Sequence, residues 1–208
     1  AAPPAAVFGG LTTKAHEQAE LFSSRLKKRA RHLRRWPTRR GITCYRLYDR
    51  DIPEIPLVVD RYEDHLHISE YERPHDRDRA EHLDWLELMV KTAGRTLGVE
   101  RGNIFFKNRQ PQKGNRQHPQ ISRDKYELTV NEGDLQFLVN LSDYIDTGLF
   151  LDHRITRSMV REQAGGCDFL SLFGYTGSFS VSAAAGGAAT TTTVDASASH
   201  LDWARRNM

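Results

Sequence analysis

Apolar positions along the chain repeat with two periods that alternate from segment to segment. From about Thr13 to Trp36, Phe22, Leu26, Ala30 and Leu33 recur near helical spacing, and Pro37 stops the pattern. The other faces carry Arg and Lys, so a basic amphipathic helix with a thin apolar stripe is expected. Alternating β-branched and aromatic stretches at Cys44–Tyr48, Leu57–Tyr62 and Leu66–Tyr71 read as strands, the first two separated by Asp49–Pro56 with its two prolines. A helix from about Asp76 to Leu97 follows, with Leu83, Leu86, Val90, Ala93 and Leu97 repeating at three and four and Gly98 placed to close it. Asn103–Lys107 reads as a strand and residues 108–124 as a polar loop rich in Gln, Arg, Lys and Gly. Tyr126–Asn131 and Leu135–Leu141 then form a hairpin around Glu132-Gly133-Asp134.

After Gly148 the grammar changes. A helix from about His153 to Gln163 leads to an apolar strand, Asp168–Phe173, and the turn Gly174-Tyr175-Thr176-Gly177. A small-residue helix, Ser178–Ala185, a strand, Thr190–Val194 ending in Asp195, and a helix starting around Ser197 complete the pattern. This β–α–β order is the first winding of a parallel sheet. Two parallel strands cannot bury both faces of their sheet, so this part is expected to be incomplete. The fold class expected is α/β: a small α+β (strand-strand-helix-strand-strand) domain, then the first part of a Rossmann-like sheet. The divisions are 1–40, linker and basic helix; 41–147, the small α+β domain with its hairpin and an RNA-contacting role; and 148–208, the opening of the Rossmann-like domain.

Composition narrows the class. No apolar run approaches the roughly 18 residues of a membrane span, and no secretory signal opens the chain. The Ala/Pro/Gly-rich start, Ala1–Gly10, and the missing initiator Met point to a longer parent protein. Cys44 and Cys167 lack metal-ligand spacing and read as free thiols of a reducing cytoplasm. The net charge is only +3, but Arg25–Arg40 holds nine Lys/Arg and no acid, leaving the remainder net acidic. Such a segment is a footprint for a polyanion, or simply a solvated helix face.

The chemistry concentrates at this β–α–β. In doubly wound folds a ligand sits beyond the carboxyl ends of the strands, and the first βα turn must admit it to the backbone. Gly174 and Gly177 supply that access, and Asp195, 18 positions beyond Gly177, stands where a ribose diol finds its acceptor. A dinucleotide usually requires three glycines and a pyrophosphate at the helix N-terminus; here there are two, with Tyr175 between them. That departure favours S-adenosyl-L-methionine, while a dinucleotide and a purely structural turn remain open.

Tyr45–Glu54, Val59–Tyr62, Asn140–Arg154, Leu172–Ser178 and Thr191–Asp195 resemble one family. The resemblance is to the C-terminal methyltransferase half of the bifunctional bacterial 23S rRNA guanine methyltransferases, the half that makes 7-methylguanosine. The likeness runs from about Gly41 onward. Two of its segments, Gly148–Arg154 and Phe173–Ser178, are shared with the related 23S rRNA cytosine methyltransferases. The resemblance implies that Phe173, Gly174, Tyr175, Thr176, Gly177 and Ser178 form the methyl-donor loop. Asp195, with Ser197 beside it, would take the ribose, while Asp152 and Arg154 would bracket the donor's amino-acid end. The family usually has Ser where Gly174 stands, and its base-holding Asp-Pro-Pro motif is absent from this sequence. The implied partners are 23S ribosomal RNA and a second methyltransferase half, covalently linked or adjacent, with no membrane and no metal. No catalytic residue is assigned, and these 208 residues alone are expected to be inactive. Lys27, Lys28, Arg31, Arg34, Arg35, Lys113 and Arg116 are the expected RNA contacts. The alternative is an RNA-binding module without catalysis. His65 and His67 share one side of a strand but lack a third ligand, and an exposed strand pair is expected there.

Overall fold

The computed structural model describes residues 11–71, 77–109, 125–144 and 146–208. The chain falls into two compact units, residues 1–36 with 45–116, and residues 37–44 with 117–208. The elements in order are α1 (Thr13–Leu33), α2 (Trp36–Arg39), β1 (Cys44–Asp49), β2 (Leu57–Tyr62), β3 (His65–Tyr71), α3 (Arg79–Leu97), β4 (Ile104–Arg109), β5 (Glu127–Glu132) and β6 (Leu135–Asn140). They continue with α4 (Arg154–Gln163), β7 (Asp168–Leu172), α5 (Ser178–Ala185), β8 (Thr190–Val194) and α6 (Ala198–Asn207).

In the first unit a four-stranded sheet runs in the order β1-β2-β3-β4. β2 and β3 are antiparallel, whereas β3 and β4 are parallel, a pairing that needs a crossover; α3 supplies it. The Thr12 hydroxyl caps α1 by accepting from the Ala15 N–H, and Asp78 caps α3 by accepting from the Glu81 N–H at 2.8 Å. Gly98, at φ +67°, closes α3. Helices α1 and α3 bury Phe22, Leu26, Trp85 and Met89 against Leu57, Val59, Leu66 and Ile68 of the sheet. The Phe22 ring meets Tyr48 edge-on at 4.9 Å.

Three local expectations change. Pro37 sits inside the short helix α2, where a proline in a first turn costs no hydrogen bond. Leu83 lies outside the buried stripe of α3 and is 51% exposed, the core positions falling to Trp85 and Met89. His65 and His67 are buried, beside Phe105 and Tyr62 respectively. Among the described residues no cluster of three His, Cys, Asp or Glu is placed to hold a metal ion, and no helix is long and apolar enough to cross a membrane. The opening linker and the polar loop carrying Lys113 and Arg116 lie outside the described residues.

In the second unit β5 and β6 form an antiparallel hairpin turning at Gly133-Asp134. The preceding segment joins it: the Thr43 N–H donates to the Asn131 carbonyl at 3.0 Å and the Gly133 N–H to that of Gly41 at 3.1 Å. The hairpin, assigned by sequence to the small α+β domain, thus groups with the parallel pair β7-β8. Its last β5 residue, Glu132, is buried between two guanidiniums. Arg157, 1% exposed, donates through Nε and Nη2 at 2.8 and 2.7 Å, and Arg154 donates through Nε at 2.9 Å. Arg157 also donates to the Phe150 carbonyl at 2.8 Å and Arg154 to the Cys44 carbonyl. These bonds tie α4 to the hairpin. Replacing Glu132 by Ala removes the carboxylate that both guanidiniums share, one of them almost wholly buried, and should destabilise the protein by about 3–5 kcal/mol, read as a lowered urea midpoint.

Candidate functional site

β7 and β8 pair in parallel and in register, Leu172 opposite Val194, so their carboxyl ends finish side by side. One face of the pair is covered by α5, whose Ser180 hydroxyl bonds that of Thr193 at 2.6 Å. The other face carries Leu170, Leu172 and Val194, about half exposed or more. The turn at the carboxyl edge is tightly determined. Phe173 and Tyr175 hold φ of +54° and +51°, a left-handed conformation that costs a non-glycine residue roughly 1–3 kcal/mol. It is held by the Gly174 N–H donating to the Val194 carbonyl and the Gly177 N–H donating to that of Gly174, both at 2.9 Å.

The two glycines answer to packing. A Cβ on Gly174 would stand 2.4 Å from Thr193 Cγ2 and 3.2 Å from Ser171 Oγ. Gly177 combines φ +74° with a Cβ position 2.8 Å from that of Ala204 on α6. The turn therefore lies flat against β8 and α6, with Gly174 half-buried and Gly177 buried.

Asp195 locks the turn to the start of α6. Its Oδ2 accepts the Tyr175 N–H and its Oδ1 the Ser197 N–H, each at 2.9 Å. His200 Nδ1 lies 3.2 Å from Oδ1. Burial pushes the Asp195 carboxyl upward, but the Ser197 and Tyr175 N–H groups and His200 outweigh it and hold the pKa below the ordinary carboxylate value.

The remaining sequence-assigned residues fall as follows. Thr176 is fully buried, and its hydroxyl donates to the Gly148 carbonyl. Ser178 is the buried first residue of α5, and Ser197 caps α6 by accepting from the His200 N–H. Phe173 is 89% exposed, an unusual state for an aromatic ring on a strained backbone. Asp152 is exposed, and Arg154 bonds Glu132 and the Cys44 carbonyl. In the first unit Lys27, Lys28, Arg31, Arg34 and Arg35 lie on α1 and the turn just after it, Lys27, Lys28, Arg31, Arg34 and Arg35 none of them in the core.

The sequence reading overlooked three residues on one face of α6: His200, Trp203 and Asn207. Trp203 Nε1 donates to the Leu138 carbonyl at 3.0 Å; Asn207 donates to the Thr176 carbonyl at 2.8 Å and accepts the Leu138 N–H at 2.9 Å. Their spacing of i, i+3, i+7 was the available signal. Phe150 and His200 add aromatic walls, with ring centroids 5.3 and 4.6 Å from that of Tyr175.

A glycine turn at the carboxyl ends of parallel strands, with a carboxylate at the end of the second, is the arrangement of a nucleoside-binding α/β fold. The model of the S-adenosylmethionine-dependent methyltransferase family matches residues 105–208, and the chain belongs to that family. Ribosomal RNA large subunit methyltransferase K/L of Alcanivorax borkumensis is 47% identical over 195 residues, covering 92% of this chain and 27% of the relative. The protein of the same name from Vibrio cholerae is 44% identical over 187 residues, covering 90% and 26%. The chain thus spans about a quarter of the length of the curated relatives it matches. Two solved structures, a methyltransferase complexed with S-adenosylhomocysteine and an S-adenosylmethionine-dependent methyltransferase from Streptococcus mutans, each give a TM-score of 0.71 at 23% identity. They cover 91% of this chain, and 47% and 48% of their own chains, and at that identity the likeness is one of fold.

The depressed pKa of Asp195 has a consequence for stability. Between the folded and unfolded pKa values the unfolded chain binds more protons, so the contribution is complete above the unfolded value of about 3.9 and is lost as pH falls through the folded one. The urea midpoint should therefore drop below about pH 4, and Asp195→Asn should flatten that drop.

Proposed function

We propose that the chain carries the donor-holding part of a 23S rRNA guanine-N7 methyltransferase. The observation that carries this is the Asp195 carboxylate bonded across to the glycine turn at the ends of β7 and β8. The residues fit S-adenosylmethionine: the Phe173 ring beside the turn is exposed, and among the described residues only three donors occupy the carboxylate's four or so acceptor positions. Bound S-adenosylmethionine supplies an electrophilic methyl group. Asp195 accepts from the ribose hydroxyls, the turn Gly174-Tyr175-Thr176-Gly177 forms the loop beside the donor, and Phe173 offers it an exposed ring. Asp152 stands at the amino-acid end, and Arg154, whose guanidinium holds Glu132, braces that segment. Guanine N7 has a free lone pair, so the protein's task is to hold and orient, not to remove a proton.

Support for an rRNA substrate comes from the names of the curated relatives. Lys27, Lys28, Arg31, Arg34 and Arg35 belong to α1 and the residues just beyond it, whose apolar side packs in the core, and their cationic side suits RNA phosphates. Lys113 and Arg116 belong to the same proposal. The second methyltransferase half of the parent is also part of this reading, as is a cytoplasmic site of action.

Calorimetry should show S-adenosylhomocysteine binding to the 208-residue chain and loss of it in Asp195→Ala, whereas NAD binding in its place would transfer the site to a dinucleotide. RNA binding should weaken steeply with salt, and replacing Lys27, Lys28 and Arg31 by Ala should reduce the slope of log K against log salt by roughly 2–3. A slope unchanged by that triple replacement would remove α1 from the interface.

A further inference from the structure

The Asp195 carboxylate has about four acceptor positions, and three are occupied. Tyr175 N–H takes one on Oδ2; Ser197 N–H and His200 Nδ1 take both on Oδ1. A carboxylate only accepts, so Nδ1 of His200 carries the proton of that contact. A ribose cis-diol gripping both oxygens needs one position on each, but among the described residues' contacts only Oδ2 has one open. Two of the three occupants cannot leave: Tyr175 N–H belongs to the strained turn, and Ser197 N–H to the residue capping α6. His200 can leave. It is a side chain, its ring is 27% exposed, and its second contact is an edge-on approach to Tyr175 at 4.6 Å.

We infer that His200 is a placeholder on the ribose-binding carboxylate, which must swing off Oδ1 before a nucleoside cis-diol can be held by both oxygens of Asp195. The inference rests on the donor reading above and deepens it by assigning a residue that sets nucleoside affinity through Asp195. Without ligand, the imidazole satisfies a partly buried carboxylate oxygen and holds the acid against the turn. With ligand, a ribose hydroxyl replaces the imidazole N–H as donor on Oδ1, and the ring turns to solvent. His200 is thus a positioning residue, and its contact with Asp195 is subtracted from the affinity for any ligand that uses the diol.

The test compares the 208-residue protein with His200→Phe, which keeps a ring against Tyr175 but has no donor, and His200→Asn, which keeps a donor near the place of Nδ1. S-adenosylhomocysteine is titrated into each by calorimetry. The Phe variant should bind three- to tenfold tighter and the Asn variant near the wild-type affinity. The gain should vanish with the 2′,3′-dideoxy analogue of the same ligand. In the wild-type protein, the His200 Nδ1 resonance should shift on addition of S-adenosylhomocysteine as its bond to the carboxylate is lost, a readout that needs no variant to fold. Equal affinities in wild type and Phe variant, a weaker Phe variant, or an unmoved His200 resonance on a binding protein overturn the inference and leave the donor site standing. Absence of S-adenosylhomocysteine binding in all three proteins overturns the donor reading and this inference together.

Discussion

The second unit depends on one carboxylate making two backbone bonds. Asp195 spans from the end of β8 to the Tyr175 N–H in the turn after β7 and to the Ser197 N–H at the start of α6. It adds a third bond to a turn whose two left-handed non-glycine residues the Gly174 and Gly177 N–H groups already hold, and it gives α6 the acid that fixes its approach. The same group is the acceptor proposed for ribose. Structure and binding therefore draw on one pair of oxygens, and that is why their occupancy matters.

A second constraint lies behind the site. Glu132 gathers Arg154 and Arg157 from one face of α4 and fixes that helix to the hairpin. Buried ion pairs contribute little net stability over apolar packing, yet they tolerate few alternative arrangements. Here the pair fixes Phe150 through its carbonyl, and Phe150 in turn stands against Tyr175. The position of the aromatic wall is set by charges two contacts away.

What could be read from the sequence was local. The bounds of α5 and β8, the closing Gly98 and the hairpin turn follow from periods and turn residues within a few positions of one another. The Gly174–Asp195 pairing was visible because the β–α–β unit has a nearly fixed length. Contacts linking distant segments left no such trace. Nothing near Glu132 announces residues 154 and 157, and nothing near Thr176 announces Asn207. Leu83 misleads because a helical stripe has edges, and spacing alone does not show on which side of an edge a residue falls. His65 and His67 mislead because polarity is a poor guide to exposure on a strand packed from both sides.

Asn207 lies in the last turn of α6 and joins Thr176, thirty-one positions earlier, to Leu138 of β6. The turn thus takes part of its hold from a side chain that also reaches the hairpin. Loss of the Asn207 amide would leave every strand and the Asp195 bond to the turn in place, yet untie the Thr176 carbonyl from the Leu138 N–H. The amides around Thr176 and Leu138 would then exchange with solvent more readily together, as one small cooperative unit despite their distance along the chain.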